Sequence, residues 1–242
     1  MSRPRFFLDQ KLAPGAKILL PPGPARHAAR VLRLAAGDTL HLFNGLGGEF
    51  VARIEHISKE DVAVQVTAFN DRECESPLQV MLAQGISSGE RMDFTLQKAV
   101  ELGISAIQPI AAKRSAVKLA GERADKRVAH WHGVVQSACE QSGRNRVPPV
   151  GQPLSLATWL GQRPTGRLLF LSPLASAQLA DLPQPQGLQI LVAGPEGGFE
   201  ADEIAALESA DAIPVRLGPR VLRTETAALA ALAAMQTLWG DF

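Results

Sequence analysis

The sequence predicts a two-part α/β protein, in which a small β-barrel precedes a larger domain with a parallel sheet. Residues 1–70 contain five short runs of strand-forming or alternating residues, separated by Gly and Asn. Many short strands at close spacing are typical of a small barrel. After a polar segment that ends at Pro77, strand-like runs alternate with helical stretches, which indicates a parallel α/β sheet. We therefore predict domains at residues 1–73 and 74–242.

Each predicted element of the first domain is short. The five strand-like runs are residues 6–8, 17–20, 39–43, 49–57 and 62–69. Side chains alternate along residues 62–66, as in a strand with one solvated face. One short helix is predicted near residues 25–34, where it carries His27, Arg30 and Arg33.

The predicted elements of the second domain are longer and alternate in type. The strand-like runs are residues 78–82, 106–110, 168–171, 188–193 and 214–217, and the helices are residues 91–102, 122–142 and 224–238. Gly103 can cap the first helix. In the second helix, Val128, Trp131, Val135 and Ala138 share one apolar face. Six alanines in residues 227–234 allow close packing, so we expect the last helix to be buried.

Composition excludes several classes of protein. Of the 242 residues, 46% are hydrophobic and 20% are charged, which excludes disordered chains, collagen and coiled coils. The longest apolar run, residues 227–235, is too short to cross a bilayer, and no signal-peptide core follows the first residues. We therefore expect a cytoplasmic protein with no membrane segment. Cys74 and Cys139 form no CxxC pair, which fits a reducing compartment and argues against a cysteine zinc site.

Charge is unevenly distributed although the net charge is only +1. Residues 1–33 carry seven Lys or Arg side chains against Asp9 alone. A basic cluster of this kind fits a surface that binds a polyanion. It fits a solvated face equally well, so charge alone does not decide between them.

Three loops follow predicted strands of the second domain, at residues 172–173, 194–199 and 218–220. Ligands bind at the carboxyl ends of parallel strands, so these loops are the expected site. Gly194, Gly197 and Gly198 remove side chains where a ligand would meet backbone amides. The same run also fits a plain tight turn, because it is neither GxGxxG nor a P-loop.

The segment of residues 217–227 joins a strand to the last helix. We predict Thr224 as its N-cap and Glu225 in its first turn, where the helix dipole favours a carboxylate. Arg220 and Arg223 crowd the same short loop. The pattern fits a catalytic role, and it also fits capping with a surface ion pair.

Other charged or nucleophilic residues favour no separate site. Arg91 and Lys98 share one helix face, with Glu101 within reach of Lys98, and such residues usually solvate a helix. The five histidines form no HExxH motif, so no metal site is predicted. No GxSxG motif exists and Cys139 lies among apolar positions, which disfavours a hydrolase.

Together these segments resemble the RsmE family of 16S rRNA uridine N3-methyltransferases, over nearly the whole chain. The resemblance is carried, in order, by residues 3–7, His27 with residues 31–33, Gly37-Asp38, residues 97–103, residues 140–144, residues 194–198, Glu203 and residues 217–227. The order and spacing of these segments make the match specific.

The resemblance implies a PUA-like RNA-binding β-barrel followed by a SPOUT methyltransferase domain. The C-terminal segment of a SPOUT domain forms a trefoil knot, a rare exception to the rule of unknotted chains. The implied partners are S-adenosylmethionine as cofactor, 16S rRNA in the small ribosomal subunit and a second copy of the chain in a homodimer. The implied cofactor contacts are Leu171, Ser172, Pro173, Gly194, Pro195, Glu196, Gly197, Gly198, Leu217, Gly218, Val221 and Leu222.

The implied reaction methylates N3 of a uridine in the decoding region, and it needs no metal. N3 must lose its proton, and the resulting negative charge spreads to O2 and O4, where Arg223 can stabilise it. Glu225, or otherwise Glu196, would accept the proton. N3 lies on the Watson–Crick edge, so the uridine must be unpaired or flipped out. The expected RNA contacts are Arg3, Arg5, Arg26, Arg30, Arg33, Lys113, Arg114, Lys118, Arg144 and Arg146.

Two other classes of protein remain open. A nucleotide-dependent oxidoreductase would also use a glycine loop after a strand, but it needs GxGxxG with an acidic residue about twenty positions later. A non-catalytic RNA-binding module would explain the basic clusters and leave the loops of the second domain unexplained.

Overall fold

The computed structural model describes residues 3–58, 61–117, 119 and 121–242, which form two compact units. The first unit comprises Met1–Glu75 together with Cys139–Val147. The second comprises Ser76–Ala138 and Pro148–Phe242. The sequence analysis placed residues 139–147 in the second domain, whereas the structure packs them with the first unit.

The first unit is a mixed five-stranded sheet that forms a half-barrel around an apolar core. Its strands are β1 (Arg5–Phe7), β2 (Lys17–Leu19), β3 (Thr39–Phe43), β4 (Glu49–Ile57) and β5 (Val62–Asn70), in the order β1-β3-β4-β5-β2. β1 runs parallel to β3, and the other pairs are antiparallel. Between β2 and β3, helix α1 (Pro22–Arg26) continues into a π-helical turn (His27–Val31). Val62, Val64 and Val66 are buried on alternate positions, as predicted.

Buried polar contacts explain why residues 139–147 belong to the first unit. The Arg5 side chain forms an ion pair with Glu49, which is 1% exposed, and donates to Asn145 Oδ1 at 2.7 Å. The backbone N–H of Phe7 donates to Glu140 Oε1 at 2.9 Å. Residues 140–145 thus supply the hydrogen-bond partners that the strand β1 needs on this side.

This packing corrects two of the predicted RNA contacts. The side chains of Arg5 and Arg144 are 8% and 5% exposed, and their guanidinium groups form ion pairs inside the unit. Arg144 forms an ion pair with Glu75, with 3.1 Å between Nε and Oε2. Because Arg5 is the ion-pair partner of the buried Glu49, and Arg144 is held by Glu75 in the same way, neither guanidinium is free to meet a phosphate.

The second unit contains a parallel five-stranded sheet, which confirms the predicted α/β class. Its strands are β6 (Val80–Gly85), β7 (Ala106–Ile110), β8 (Arg167–Leu171), β9 (Gln189–Ala193) and β10 (Ile213–Val215), in the order β10-β8-β9-β6-β7. Every neighbouring pair is parallel. β8, β9 and β10 are therefore adjacent, and their carboxyl ends lie at one edge of the sheet.

The helices follow the predicted positions, with two additions. They are α2 (Gly89–Glu101), α3 (Glu122–Ser142), α4 (Leu156–Leu160), α5 (Ala201–Ser209) and α6 (Thr224–Trp239). α4 and α5 were not predicted. Gly103 has a φ of +82° just beyond α2, which confirms it as the capping residue. The alanine-rich α6 buries Ala228, Ala231 and Leu232, as expected. In the part of the chain that the structure describes, no helix is long and apolar enough to cross a membrane.

Candidate active site

A cavity of about 540 Å³ opens at the carboxyl ends of β8, β9 and β10. Three loops surround it, and each directly follows one of these strands. All twelve residues predicted as cofactor contacts line the cavity, together with Arg223 and Glu225. Parallel strands deliver their following loops to the same edge, which is why segments up to 50 residues apart in sequence meet here.

The cavity combines an apolar wall with a charged mouth. Apolar side chains outside the twelve predicted cofactor contacts complete the wall: Phe170, Leu174, Phe199, Ile204, Val215 and Ala227. The charged lining residues are Arg91, Arg114, Glu196, Arg216, Arg220, Arg223 and Glu225. Of these, Arg114, Glu196, Arg220 and Arg223 are exposed, and the other three are half-buried. An apolar cleft with a few converging polar groups is the usual form of a small-molecule site.

Glu196 holds the start of α2. Its Oε1 accepts hydrogen bonds from the Ser88 backbone N–H at 2.9 Å, from the Ser88 hydroxyl at 2.9 Å and from Arg91 at 3.2 Å. Burial alone would raise the pKa of Glu196, but these hydrogen bonds outweigh it, so the pKa of this carboxyl lies below its ordinary value. The Glu196 carboxylate is therefore held by these hydrogen bonds and is a weak base.

Arg91 is a site residue that the sequence analysis did not assign. Its guanidinium contacts Glu196 and also lies 4.0 Å from Glu225 Oε1, measured from Nε. The other oxygen, Glu225 Oε2, is buried and has no hydrogen-bond partner among the described residues. Glu225 thus lines the cavity and carries an acceptor oxygen without a donor. Lys98, on the same helix, forms the expected pair with Glu101 at 2.7 Å.

Thr224 does not cap α6, contrary to the prediction. The N-cap is Arg223, which makes no side-chain capping hydrogen bond, and Thr224 is the first helical residue. The Thr224 hydroxyl instead donates to the Gly194 carbonyl at 2.5 Å and accepts from Gln84 Nε2 at 3.1 Å. This hydroxyl fastens the start of α6 to the loop after β9, and it thereby fixes Arg223 and Glu225 beside the glycine-rich loop.

The glycines of the second loop have different roles. A Cβ at Gly197 would lie 2.8 Å from the Cβ of Arg114, so packing against the protein itself requires glycine there. Gly198 has a φ of +69°, and no atom lies within 4 Å of the position of its missing Cβ. Gly218, in the third loop, has a φ of +78° and equally open surroundings. Open space for a ligand therefore lies over Gly198 and Gly218.

Comparisons with known proteins agree with this arrangement. A family model described as an RNA methyltransferase domain matches residues 74–236, and one described as an RNA methyltransferase PUA domain matches residues 25–67. Ribosomal RNA small subunit methyltransferase E of Mycobacterium tuberculosis is 35% identical over 96% of this chain and 91% of its own length. The Bacillus subtilis protein of the same name is 31% identical over 96% of this chain and 95% of its own. This chain belongs to the ribosomal RNA small subunit methyltransferase E family.

Solved structures of this family superimpose on the whole chain. A ribosomal RNA small subunit methyltransferase E from Neisseria gonorrhoeae, bound to S-adenosylmethionine, has a TM-score of 0.93, with 44% identity and full coverage of both chains. A methyltransferase from Legionella pneumophila in complex with the same cofactor has a TM-score of 0.96, 39% identity and full coverage of both chains. The predicted family and the predicted PUA-like and α/β architecture are confirmed.

Within this methyltransferase E chain, the remaining predicted RNA contacts fall into two groups. Five are exposed arginines of the first unit, namely Arg3, Arg26, Arg30, Arg33 and Arg146. Lys113 and Arg114 form ion pairs with Asp202 and Glu200 near α5, and the hydrogen bond to Asp202 raises the pKa of Lys113. Lys118 lies outside the described residues.

Among the residues that the structure describes, the thiols and possible metal ligands form no second site. Burial raises the pKa of the Cys139 thiol to about 12, so Cys139 stays protonated and unreactive at neutral pH. Cys74 is a free thiol at the surface. Over residues 3–58, 61–117, 119 and 121–242, no group of three or more His, Cys, Asp or Glu side chains is placed to hold a metal ion.

Proposed function

We propose that this protein uses S-adenosylmethionine to methylate N3 of a specific uridine in the decoding region of 16S rRNA, in the small ribosomal subunit. One observation carries the proposal: a single cavity brings the three predicted cofactor loops together with Arg223 and an unpartnered oxygen of Glu225. The names of the relatives and the cofactor bound to two neighbouring structures support it. The homodimer, the trefoil knot and the cytoplasmic location that the resemblance implies belong to the same proposal.

The cavity fits S-adenosylmethionine in shape and chemistry. The open space over Gly198 and Gly218 lets a ligand approach the backbone, and the apolar wall suits a flat base and an aliphatic chain. The twelve loop residues that line the cavity would hold the molecule. When bound, it supplies a methyl group attached to a positively charged sulfur.

Glu225 is the better candidate of the two for the proton acceptor. Its buried Oε2 lacks a donor, and the N3–H group of uracil is a donor of the right kind. Glu196 Oε1 already accepts three hydrogen bonds, and the lowered pKa of Glu196 makes it a weak base. We therefore assign proton removal to Glu225 and assign to Glu196 the positioning of Arg91 and of the start of α2.

We assign roles near the developing negative charge to Arg223 and Arg91. When N3 loses its proton, the charge moves onto O2 and O4 of uracil, and a guanidinium can donate to such oxygens. Arg223 is exposed at the cavity mouth, so it is free to meet a base that enters from solvent. Arg91 is held by Glu196 beside Glu225, so its positive charge balances the negative charge of the Glu225 carboxylate.

The product of the reaction tests the proposal directly. We expect the protein to transfer a labelled methyl group from S-adenosylmethionine to 16S rRNA or to the small subunit. After nuclease digestion, mass spectrometry should find N3-methyluridine at one position. Transfer of the label to a ribose hydroxyl, to another base or to no RNA at all would contradict the assignment.

Filling the space over Gly218 should weaken cofactor binding. Gly218→Val places a branched side chain in the cavity, and we expect its affinity for S-adenosylmethionine to fall at least about tenfold because the side chain overlaps the ligand. Gly187→Val is the matched control, since Gly187 has a φ of +74°, has equally open surroundings and does not line the cavity.

Isothermal titration with S-adenosylmethionine measures the cofactor affinity of both variants, and thermal unfolding measures their stability. A valine at either position would have to adopt a positive φ, which costs free energy for a residue with a Cβ. Both variants should therefore lose similar stability. Equal cofactor affinity of the two variants would show that the third loop does not contact the cofactor.

A further inference from the structure

An exposed turn of the first unit combines aliphatic and basic side chains in an unusual backbone. We define the basic turn as residues 26–33, which span the end of α1, the π-helical turn and Arg33. Its outward residues are Arg26, Arg30, Val31, Leu32 and Arg33. Val31 is 68% exposed and Leu32 is 39% exposed. Burial of large aliphatic side chains under a partner removes apolar surface from water, which stabilises the complex.

The inner side of the basic turn is firmly anchored. Ala25 and Ala28 are fully buried in the core of the half-barrel. The Leu32 N–H donates to the His27 carbonyl at 3.0 Å, and the Leu34 N–H donates to the Ala28 carbonyl at 3.0 Å. The exposed aliphatic pair is therefore presented by a hydrogen-bonded turn rather than by a loose loop.

The backbone of the turn is strained at a charged residue. Arg33 has a φ of +53°, a conformation that costs free energy for any residue with a Cβ and that glycine adopts readily. π-Helical turns are also rare and are frequent at functional sites. Glycine at position 33 would give a more stable backbone. The arginine therefore lowers the stability of the fold, which indicates that its guanidinium has another role.

Charge identifies the partner as a polyanion. None of Arg26, Arg30 and Arg33 forms an ion pair or a side-chain hydrogen bond with a residue that the structure describes. Three uncompensated positive charges surround the two aliphatic side chains. A protein surface that covered Val31 and Leu32 would need matching acidic groups, whereas RNA supplies phosphates and base faces together.

We infer that the basic turn binds an unpaired segment of RNA, with Val31 and Leu32 against the face of an exposed base and the arginines on the neighbouring phosphates; this rests on the proposed function. Base faces are accessible only where bases are unstacked, so paired RNA offers the arginines their phosphates but offers the aliphatic pair nothing. The turn should therefore prefer single-stranded RNA, and its two kinds of side chain should contribute separably.

Two double variants separate the contributions. Val31→Ser with Leu32→Ser should weaken binding to a short single-stranded oligouridine on the order of fivefold, with duplex binding and the salt dependence unchanged. Arg30→Gln with Arg33→Gly should weaken binding to single strand and duplex alike and reduce the slope of log affinity against log salt by up to about two. Fluorescence anisotropy over a salt series measures both.

A matched control and a stability measurement exclude a merely structural effect. Leu19→Ser with Leu46→Ser removes two leucines of the same unit that are exposed at 63% and 79%, and this variant should bind RNA as the unaltered protein does. Arg33→Gly alone should unfold at a temperature no lower than the unaltered protein, because glycine relieves the strained φ. A control that loses as much affinity as the Val31 and Leu32 variant would overturn the inference.

Methylation of 16S rRNA by the unaltered protein, measured in the same series, separates this inference from the proposed function. If the unaltered protein transfers no methyl group, the proposed function fails whatever the binding shows. If it does transfer methyl groups and the Val31 and Leu32 variant binds oligouridine normally, only the present inference fails. If that variant binds naked RNA normally but no longer methylates assembled small subunits, the turn docks on a protein, which also overturns it.

Discussion

Replacing Arg223 with alanine should slow methyl transfer about a hundredfold to a thousandfold while S-adenosylmethionine binds nearly normally. The loss is expected because one donor aimed at developing negative charge contributes about that much in rate. Arg223→Lys should retain part of the activity, since it keeps the charge but loses the planar fork that spans two acceptors. Raising the pH should partly rescue both variants, because a larger fraction of the uracil is then already deprotonated.

Single-turnover methylation across pH, alongside cofactor titrations, measures this effect. Arg220→Ala is the matched comparison, because Arg220 is an exposed arginine of the same loop that also lines the cavity. If Arg220→Ala is as slow as Arg223→Ala, the overall positive charge of the mouth is responsible rather than one guanidinium. If Arg223→Ala loses cofactor affinity in proportion to its rate, Arg223 binds the cofactor instead.

Arg5→Met should lower the free energy of unfolding of the first unit by about 3–5 kcal/mol, because it leaves the carboxylate of Glu49 buried without its main partner. Glu49 is 1% exposed, so water cannot replace the lost guanidinium. Combining Arg5→Met with Glu49→Leu removes both charges and should recover at least about half of the loss. The lost hydrogen bonds to Asn145 Oδ1 and to the Arg144 carbonyl, and any poor packing of the methionine, add further costs that the double variant carries too.

Urea unfolding followed by circular dichroism measures the first unit in these variants. The three tryptophans, Trp131, Trp159 and Trp239, all lie in the second unit, so tryptophan fluorescence reports that unit separately. A double variant as unstable as Arg5→Met would mean that packing, not the stranded charge, causes the loss. A cost below about 1 kcal/mol for Arg5→Met would show that Glu49 is effectively solvated.

Local patterns predict the elements of the fold well. Val128, Trp131 and Val135 recur at helical spacing, and the predicted helix over residues 122–142 has those bounds in the structure. The order of strands could not be predicted in the same way, because β6 lies between β7 and β9 through pairings that span most of the second unit. The trefoil knot and the homodimer stay predictions, since only the family resemblance implies them.

The site shows a similar division. The three loops could be predicted because each follows a strand, and their convergence follows from the parallel sheet. The part played by Arg91 could not, because its partners Glu196 and Glu225 lie more than 100 positions away in the sequence. The burial of the Arg5 and Arg144 side chains could not be predicted for a similar reason. Their partners Glu49 and Glu75 lie 44 and 69 positions away in the sequence, so the sequence alone does not distinguish these arginines from solvated ones.

The first unit is discontinuous along the chain, and this affects how it matures during translation. N-terminal domains ordinarily fold first as the chain leaves the ribosome. Here β1–β5 emerge while Glu140, Arg144 and Asn145 have not yet been made, so Arg5 and the N–H of Phe7 still lack partners that these residues provide. Those contacts form only after β6, β7 and α3 have been synthesised. The first unit can therefore be completed only after residues 76–138 of the second have been made, at a point where the second unit still lacks Pro148–Phe242.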